Sequence, residues 1–341
     1  MKKILLVLSL LSSMAATAEC VHEKTLLGSE LSSLKADHEV FIDSGEGIFK
    51  PLNNIQIDNN KTYQVQLLAK QNNLKSSDPH SDYNKKYLEY YTYARMQKYL
   101  TTHKSEMESL GLNLSIVGKS LEGRDLYSVS PKKLLKKKTI LMFGRHHGDE
   151  GTANWIIEGF FNEYLANKTF RDEYQLILYP MVNPDGAEAH TRYNANNRDL
   201  NRSWHKSLLQ SYDEVKIIHS DLKDKMKVVK DDIFVALDMH GSFTEDFIYR
   251  VKRNYVDRAF YEKQQEFIDE LKIFDSWQDG NSKKSNGDKA MARIVFIDHY
   301  KKNAMTHESI RNIEKNNPKN RSLISLKDQG LDIIKVIQNL Y

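Results

Sequence analysis

The sequence predicts an α/β fold, a mixed, mostly parallel sheet flanked by helices, and three observations carry that prediction. Short continuous apolar runs recur at residues 139–143, 175–179, 233–237 and 292–297, the pattern of strands buried on both faces. Between them lie longer stretches with apolar residues at helical spacing, so strands and helices alternate along the chain. Histidines and acids sit where the runs stop, and in such sheets chemistry gathers beyond the carboxyl ends of the strands.

Taken in order, the chain opens with Lys2 and Lys3, an apolar run over residues 4–11 and the small-x-small triplet Ala16-Thr17-Ala18. This is the layout of a cleaved signal peptide, residues 1–18, and the run is too short to span a membrane. The expected destination is secreted or periplasmic, with a mature chain from about Glu19. Cys20 is the only cysteine, so no internal disulfide supports the fold. Residues 19–84 are polar and carry alternating stretches at 38–42 and 62–68, which suggest a small N-terminal β extension, while 71–82 has linker composition. From about residue 85 to 341 the texture is that of one larger domain. Residues 87–103 read as a helix, 139–143 as a strand, 152–165 as an amphipathic helix and 175–179 as a strand. Asn183-Pro184-Asp185-Gly186 reads as a turn, 233–237 and 292–297 as further strands, and 326–340 as a closing amphipathic helix.

Of the 341 residues, 50 are Lys or Arg and 46 Asp or Glu, a net charge of +4. Without Lys2 and Lys3 the balance is nearly even, which argues against nucleic-acid binding. The one basic cluster, residues 132–138, reads as a solvated loop. No later run approaches the ~20 apolar residues of a transmembrane helix. Oligomeric state is not legible.

His147 and Glu150 lie three residues apart just after the first strand, where a strand-to-helix turn can bring both onto one ion. A catalytic zinc keeps three protein ligands and an open position, so a third ligand has to come from elsewhere. His240, at the end of another strand, is the natural candidate. His146 and His307 each adjoin a site residue and so point the other way along extended chain. Asp238, two before His240, shares its strand face.

The ordered set H-x-x-E (147–150), N-P-D-G (183–186), R-x8-N-R (192–202), D-x-H-G-S (238–242) and T-x-E (306–308) resembles the zinc carboxypeptidases of the carboxypeptidase A type. The details are similar to the subgroup of cytosolic-type carboxypeptidases and bacterial murein peptide amidases, as is the lead-in over residues 117–124. The likeness runs from about residue 87 to 341. It implies one Zn2+ per chain, held by His147, Glu150 and His240, with Glu308 as the general base. It implies that Arg192 polarises the scissile carbonyl and that Asn201 and Arg202 bind the substrate's terminal carboxylate, a task suited to a guanidinium fork. Asp199 corresponds to the acid that orients the first zinc histidine. Digestive members carry a mobile tyrosine about twenty residues before the base; residues 279–287 here have none. The position about fifteen before the base is Arg293, which would favour an acidic leaving residue. The implied partner is a peptide or muropeptide with a free carboxylate, with peptidoglycan stem peptides favoured by location and protein C-termini as the alternative. Residues 191–193 and 199–202 are also similar to aspartoacylase-type deacylases of N-acyl amino acids, and a non-catalytic peptide-binding module is a third reading; the intact ligand set, base and arginines speak against it.

Overall fold

The computed structural model describes residues 22–34, 38–43, 49–52, 56–69, 91–207, 213–275, 277–278, 282–311, 321 and 323–341. The proposed signal segment, the linker at 71–82 and residues 279–281 lie outside them. The chain divides into two compact units, one ending at Tyr87 and the other beginning at Leu88.

In the first unit both alternating stretches form strands. Strands β1 (His22–Leu27), β2 (His38–Asp43), β3 (Phe49–Pro51) and β4 (Thr62–Ala69) make an antiparallel sheet of order β1-β4-β2-β3, joined by helix α1 (Gly28–Leu34). Leu31, Val40, Ile42, Leu52 and Val65 form its small core.

The second unit starts with α2 (Tyr93–Thr102) and α3 (Lys104–Ser109), shorter than the helix expected over 87–103. Thr92 caps α2 by accepting from the Arg95 amide. An eight-stranded sheet follows: β5 (Leu112–Lys119), β6 (Asp125–Pro131), β7 (Thr139–Gly144), β8 (Gln175–Tyr179), β9 (Ile233–Ser242), β10 (Phe247–Arg250), β11 (Ser282–Lys284) and β12 (Ala304–Ile310), in the order β11-β10-β12-β9-β7-β8-β6-β5. The central pairs β12–β9, β9–β7 and β7–β8 are parallel, whereas β10–β12, β6–β8 and β5–β6 are antiparallel. The connections carry α4 (Thr152–Ala166), α5 (Lys168–Glu173), α6 (Pro184–Ala189), α7 (Trp204–Ser207), α8 (Glu214–Val229), α9 (Arg258–Phe274), α10 (Ala292–Asp298) and the closing α11 (Leu323–Leu340).

Strand β7 is buried at every position because both its faces are covered. Leu141 and Phe143 join a core built with α8 and α10, while the alternate residues Ile140 and Met142 face the opposite layer. There α4 crosses α11 so closely that a Cβ on Gly159 would lie 2.0 Å from the Lys327 carbonyl oxygen, and one on Gly330 2.2 Å from the Phe160 nitrogen. Expected as amphipathic, α4 is instead buried almost all round, as a helix pressed between a sheet and a second helix must be.

The expected strand at 292–297 is a helix, α10. All its residues from Ala292 to Ile297 are buried, and a short run apolar on every side carries no period to separate helix from strand. The strand that completes this part of the sheet is β12, which lies between β9 and β10.

Candidate metal centre

Strand β7 ends at Gly144, and the chain turns sharply at Arg145, whose φ of 59° is left-handed. Such a backbone in a non-glycine residue has to be held by its surroundings. The fully buried Arg145 guanidinium donates to the Asn154 side chain (3.1 Å) and the Gly148 carbonyl (2.5 Å), bracing the turn against α4. A Cβ on Gly148 would come within 2.0 Å of Gly186, so this turn packs directly on residues 183–186. Asn183 caps α6 by accepting from the Gly186 amide and donates to the carbonyls of His146 and Arg192. Asp185 accepts from Ser120 (2.6 Å), the Glu122 amide and Arg124 (2.8 Å), which explains the lead-in at 117–124 as a brace.

On this scaffold the three expected ligands meet. His147 Nδ1 lies 2.8 Å from Glu150 Oε1, His240 Nδ1 lies 2.7 Å from Glu150 Oε2, and the two Nδ1 atoms are 3.1 Å apart. Tetrahedral ligands at the usual ~2.0–2.1 Å from zinc sit roughly 3.3 Å from one another, close to this triangle. Each imidazole is gripped at its other nitrogen by a carboxylate: His147 Nε2 by Asp199 (3.1 Å) and His240 Nε2 by Asp238 (3.0 Å). An acceptor at Nε2 places the proton there and leaves the Nδ1 lone pair for a cation. Two lone pairs and a carboxylate facing one point fit zinc by their donor chemistry.

Parallel pairing sets Glu308 of β12 beside His240 of β9, so strand register delivers the expected base to the metal triangle. Burial, reinforced by the negative Glu150, pushes the Glu308 carboxyl up to about 8. A dication in the triangle would draw it down again. His307 points to the other side of the sheet, fully buried, as expected from strand alternation.

Glu308 opens onto a cavity of about 400 Å3 lined by His147, Glu150, Arg192, Asn201, Arg202, His240, Arg293 and neighbours. Arg192 donates to Asp199 (2.8 Å), and its other terminal nitrogen is 3.2 Å from His147 Nδ1. Burial opposes the Asp199 charge, yet His147 and Arg192 outweigh it and hold the carboxyl well below the usual range. The Asn201 amide is turned into the ligand network: it donates to Asp238 Oδ2 (3.1 Å) and accepts from the Ala292 amide (2.9 Å). Arg202 donates to the Asn201 carbonyl. Arg198 is exposed and outside the cavity lining.

Arg293 stands in the first turn of α10, buried, donating to the Ser285 carbonyl (2.9 Å). Burial lowers its guanidinium to about 10. Its charge centre is 5.7 Å from the ring of Tyr249, a residue of β10 opposite Thr306. Sequence reasoning missed Tyr249 in this wall, because it sought a tyrosine in the loop before the base, while this one arrives on a separate strand. Arg145 was also missed; a left-handed arginine has no sequence signal.

This fold and donor set are those expected of a zinc carboxypeptidase domain. Residues 96–227 match the family model Peptidase_M14, zinc carboxypeptidase. The chain is 26% identical over 184 residues to human cytosolic carboxypeptidase 2, spanning 50% of this chain and 20% of that protein. It is 29% identical over 138 residues to carboxypeptidase SOL1 of Arabidopsis thaliana, spanning 37% and 28%. The match thus covers about a fifth to a quarter of these relatives' length. Among solved structures, the fold is shared with a metallo-carboxypeptidase from Burkholderia cenocepacia (TM-score 0.61, 15% identity, 95% of this chain and 86% of that one). It is shared also with a metallo-carboxypeptidase from Pseudomonas aeruginosa in complex with (2-guanidinoethylmercapto)succinic acid (TM-score 0.61, 21% identity, 94% and 85%).

Proposed function

We propose that this chain is a zinc-dependent carboxypeptidase that works outside the cytoplasm and releases a C-terminal residue, preferentially an acidic one, with peptidoglycan stem peptides as its substrate class. The observation that carries the reading is the register pairing of Glu308 with His240, which sets an elevated carboxyl beside a cation-shaped triangle at the floor of an arginine-lined cavity. Zinc, when bound, supplies a Lewis acid that makes water acidic enough to ionise near neutral pH.

His147, Glu150 and His240 would hold that ion, and Asp199 and Asp238 would keep both imidazoles in the binding tautomer. Glu308 takes the proton from the attacking water and returns it to the leaving amine. Arg192, lying against the triangle, offers its guanidinium to the carbonyl oxygen as negative charge develops there. Arg202 and Asn201 line the part of the cavity where the substrate's terminal carboxylate would be held. Arg293, beside Tyr249 and with Lys283 also in the lining, gives the leaving side chain a cationic wall that favours a carboxylate. The choice of wall peptides over protein termini rests on the signal-like residues 1–18.

The test uses residues 19–341 and a Glu308→Gln variant. Bound metal is measured, and both proteins meet purified muropeptides and a library of protein-like peptides, read by mass spectrometry. One zinc per chain and single-residue losses from muropeptides that vanish in the variant are expected. Losses from the protein-like pool alone would reassign the substrate, and activity indifferent to Glu308 would overturn the mechanism.

A further inference from the structure

Behind the metal triangle lies a second layer of polar groups that the reaction itself does not use. His146 Nδ1 is 2.7 Å from Asp238 Oδ1, the oxygen that also contacts His240 Nε2 at 3.0 Å, and Trp204 Nε1 is 2.7 Å from His146 Nε2. Trp204, His146, Asp238 and His240 are each at most 2% exposed, and the His146 ring stacks on that of His240 with centroids 5.6 Å apart and planes within 5°.

We propose that His146 and Trp204 are positioning residues for the zinc site, fixing through Asp238 which nitrogen of His240 is free to bind the metal. The inference rests on the zinc reading above. An indole nitrogen can only donate a hydrogen bond. Trp204 therefore requires a lone pair at His146 Nε2, and the single proton of the neutral imidazole has to sit at Nδ1. From there it is donated to Asp238 Oδ1. Asp238, accepting from His146 and from the Asn201 amide, is held in one rotamer with Oδ1 aimed at His240 Nε2. His240 consequently carries its proton at Nε2 and presents Nδ1 to Glu150 and His147. Asn201 Nδ2 lies equally near His240 Nε2 (3.0 Å), but its N–H goes to Asp238 Oδ2, because a charged carboxylate is the stronger acceptor, and His240 keeps its own proton for Asp238 Oδ1.

The same groups offer a rival interpretation, since His146, Asp238 and His240 lie close enough together to hold an ion of their own. The indole decides against it. With Nε2 occupied by the Trp204 N–H, His146 could ligate through Nδ1 only by losing its last proton.

The experiment measures zinc affinity by competition against a chromophoric chelator, alongside the thermal melt of each metal-free protein. His146→Phe removes the donor to Asp238 and keeps a ring; about tenfold weaker zinc binding is expected, within the range for partners of metal-binding histidines. His146→Asn places an amide N–H where Nδ1 was and should restore affinity to within about threefold of the parent. Trp204→Phe keeps the bulk and removes only the indole N–H; about threefold weakening is expected. Parent-like affinity in folded His146→Phe overturns the proposal, as does Asn failing as badly as Phe. Should His146→Phe not fold, Trp204→Phe decides, and unchanged affinity there overturns it. A parent protein that binds no zinc removes the metal reading itself, whatever the variants do.

Discussion

Two carboxylates in the second unit show what separates a structural charge from a chemical one. Glu158, on α4, is 1% exposed and fully partnered: it accepts from Tyr91 at 2.6 Å and meets Lys327 at 3.0 Å and Arg95 at 3.4 Å. Burial alone would raise its carboxyl, but Arg95 and Lys327 prevail and hold it at about 2. Glu308 is only partly buried and opens onto the cavity, where desolvation and the negative Glu150 raise its carboxyl to about 8. One cluster closes on itself and ties α2, α4 and α11 together. The other holds Glu150, Asp199, Asp238 and Glu308 around two imidazoles whose lone pairs face each other, and it is completed by a dication.

The largest expected effect breaks the chemical side of this comparison. Glu308→Gln should lower kcat by about 10²–10⁴-fold while bound zinc remains at one per chain; steady-state kinetics with metal analysis checks both. Next comes the structural side. Glu158→Gln should destabilise the fold by about 3–5 kcal/mol at neutral pH by removing the buried charge that Arg95 and Lys327 meet, read from denaturant unfolding of the zinc-loaded protein, with kcat little changed.

The pH dependence sharpens the contrast. The Glu158 carboxyl is depressed in the folded chain, so its stabilisation is present above the ordinary carboxylate pKa and disappears as pH falls from about 4.5 through about 2. The shift corresponds to about 3 kcal/mol. The stability gap between the parent and Glu158→Gln should therefore narrow across that window; a gap that stays constant would mean that the charge is not its source. The smallest effects concern single contacts. Arg293→Ala should reduce preference for acidic over neutral leaving residues about tenfold with zinc content unchanged, and Tyr91→Phe should cost about 1.5–3 kcal/mol by removing one hydrogen bond to a buried charge.

Much of the site was legible because its residues are fixed by short-range order. His147 and Glu150 share one turn, His240 closes an apolar strand, and Asp199 and Arg192 come with a motif of set spacing. The roles of His146 and Tyr249 were not legible. His146 was set aside because neighbours on an extended chain diverge, and it does point away from the metal, yet it points at Asp238 on another strand. Helix α10 was misread for a related reason: burial on every side erases the periodicity that separates the two kinds of element.

The sequence by itself determined the alternation of strands and helices and offered His147, Glu150 and His240 as ligand candidates, because local period and motif spacing act over a few residues; Glu308 as the base came from the family resemblance. Only the tertiary structure decided what those residues face. The pairing of β9 with β12 set Glu308 beside His240, and the packing of α7 against β7 set an indole N–H on His146. Proton positions and carboxyl affinities follow from such contacts between distant parts of the chain, and no local pattern encodes them.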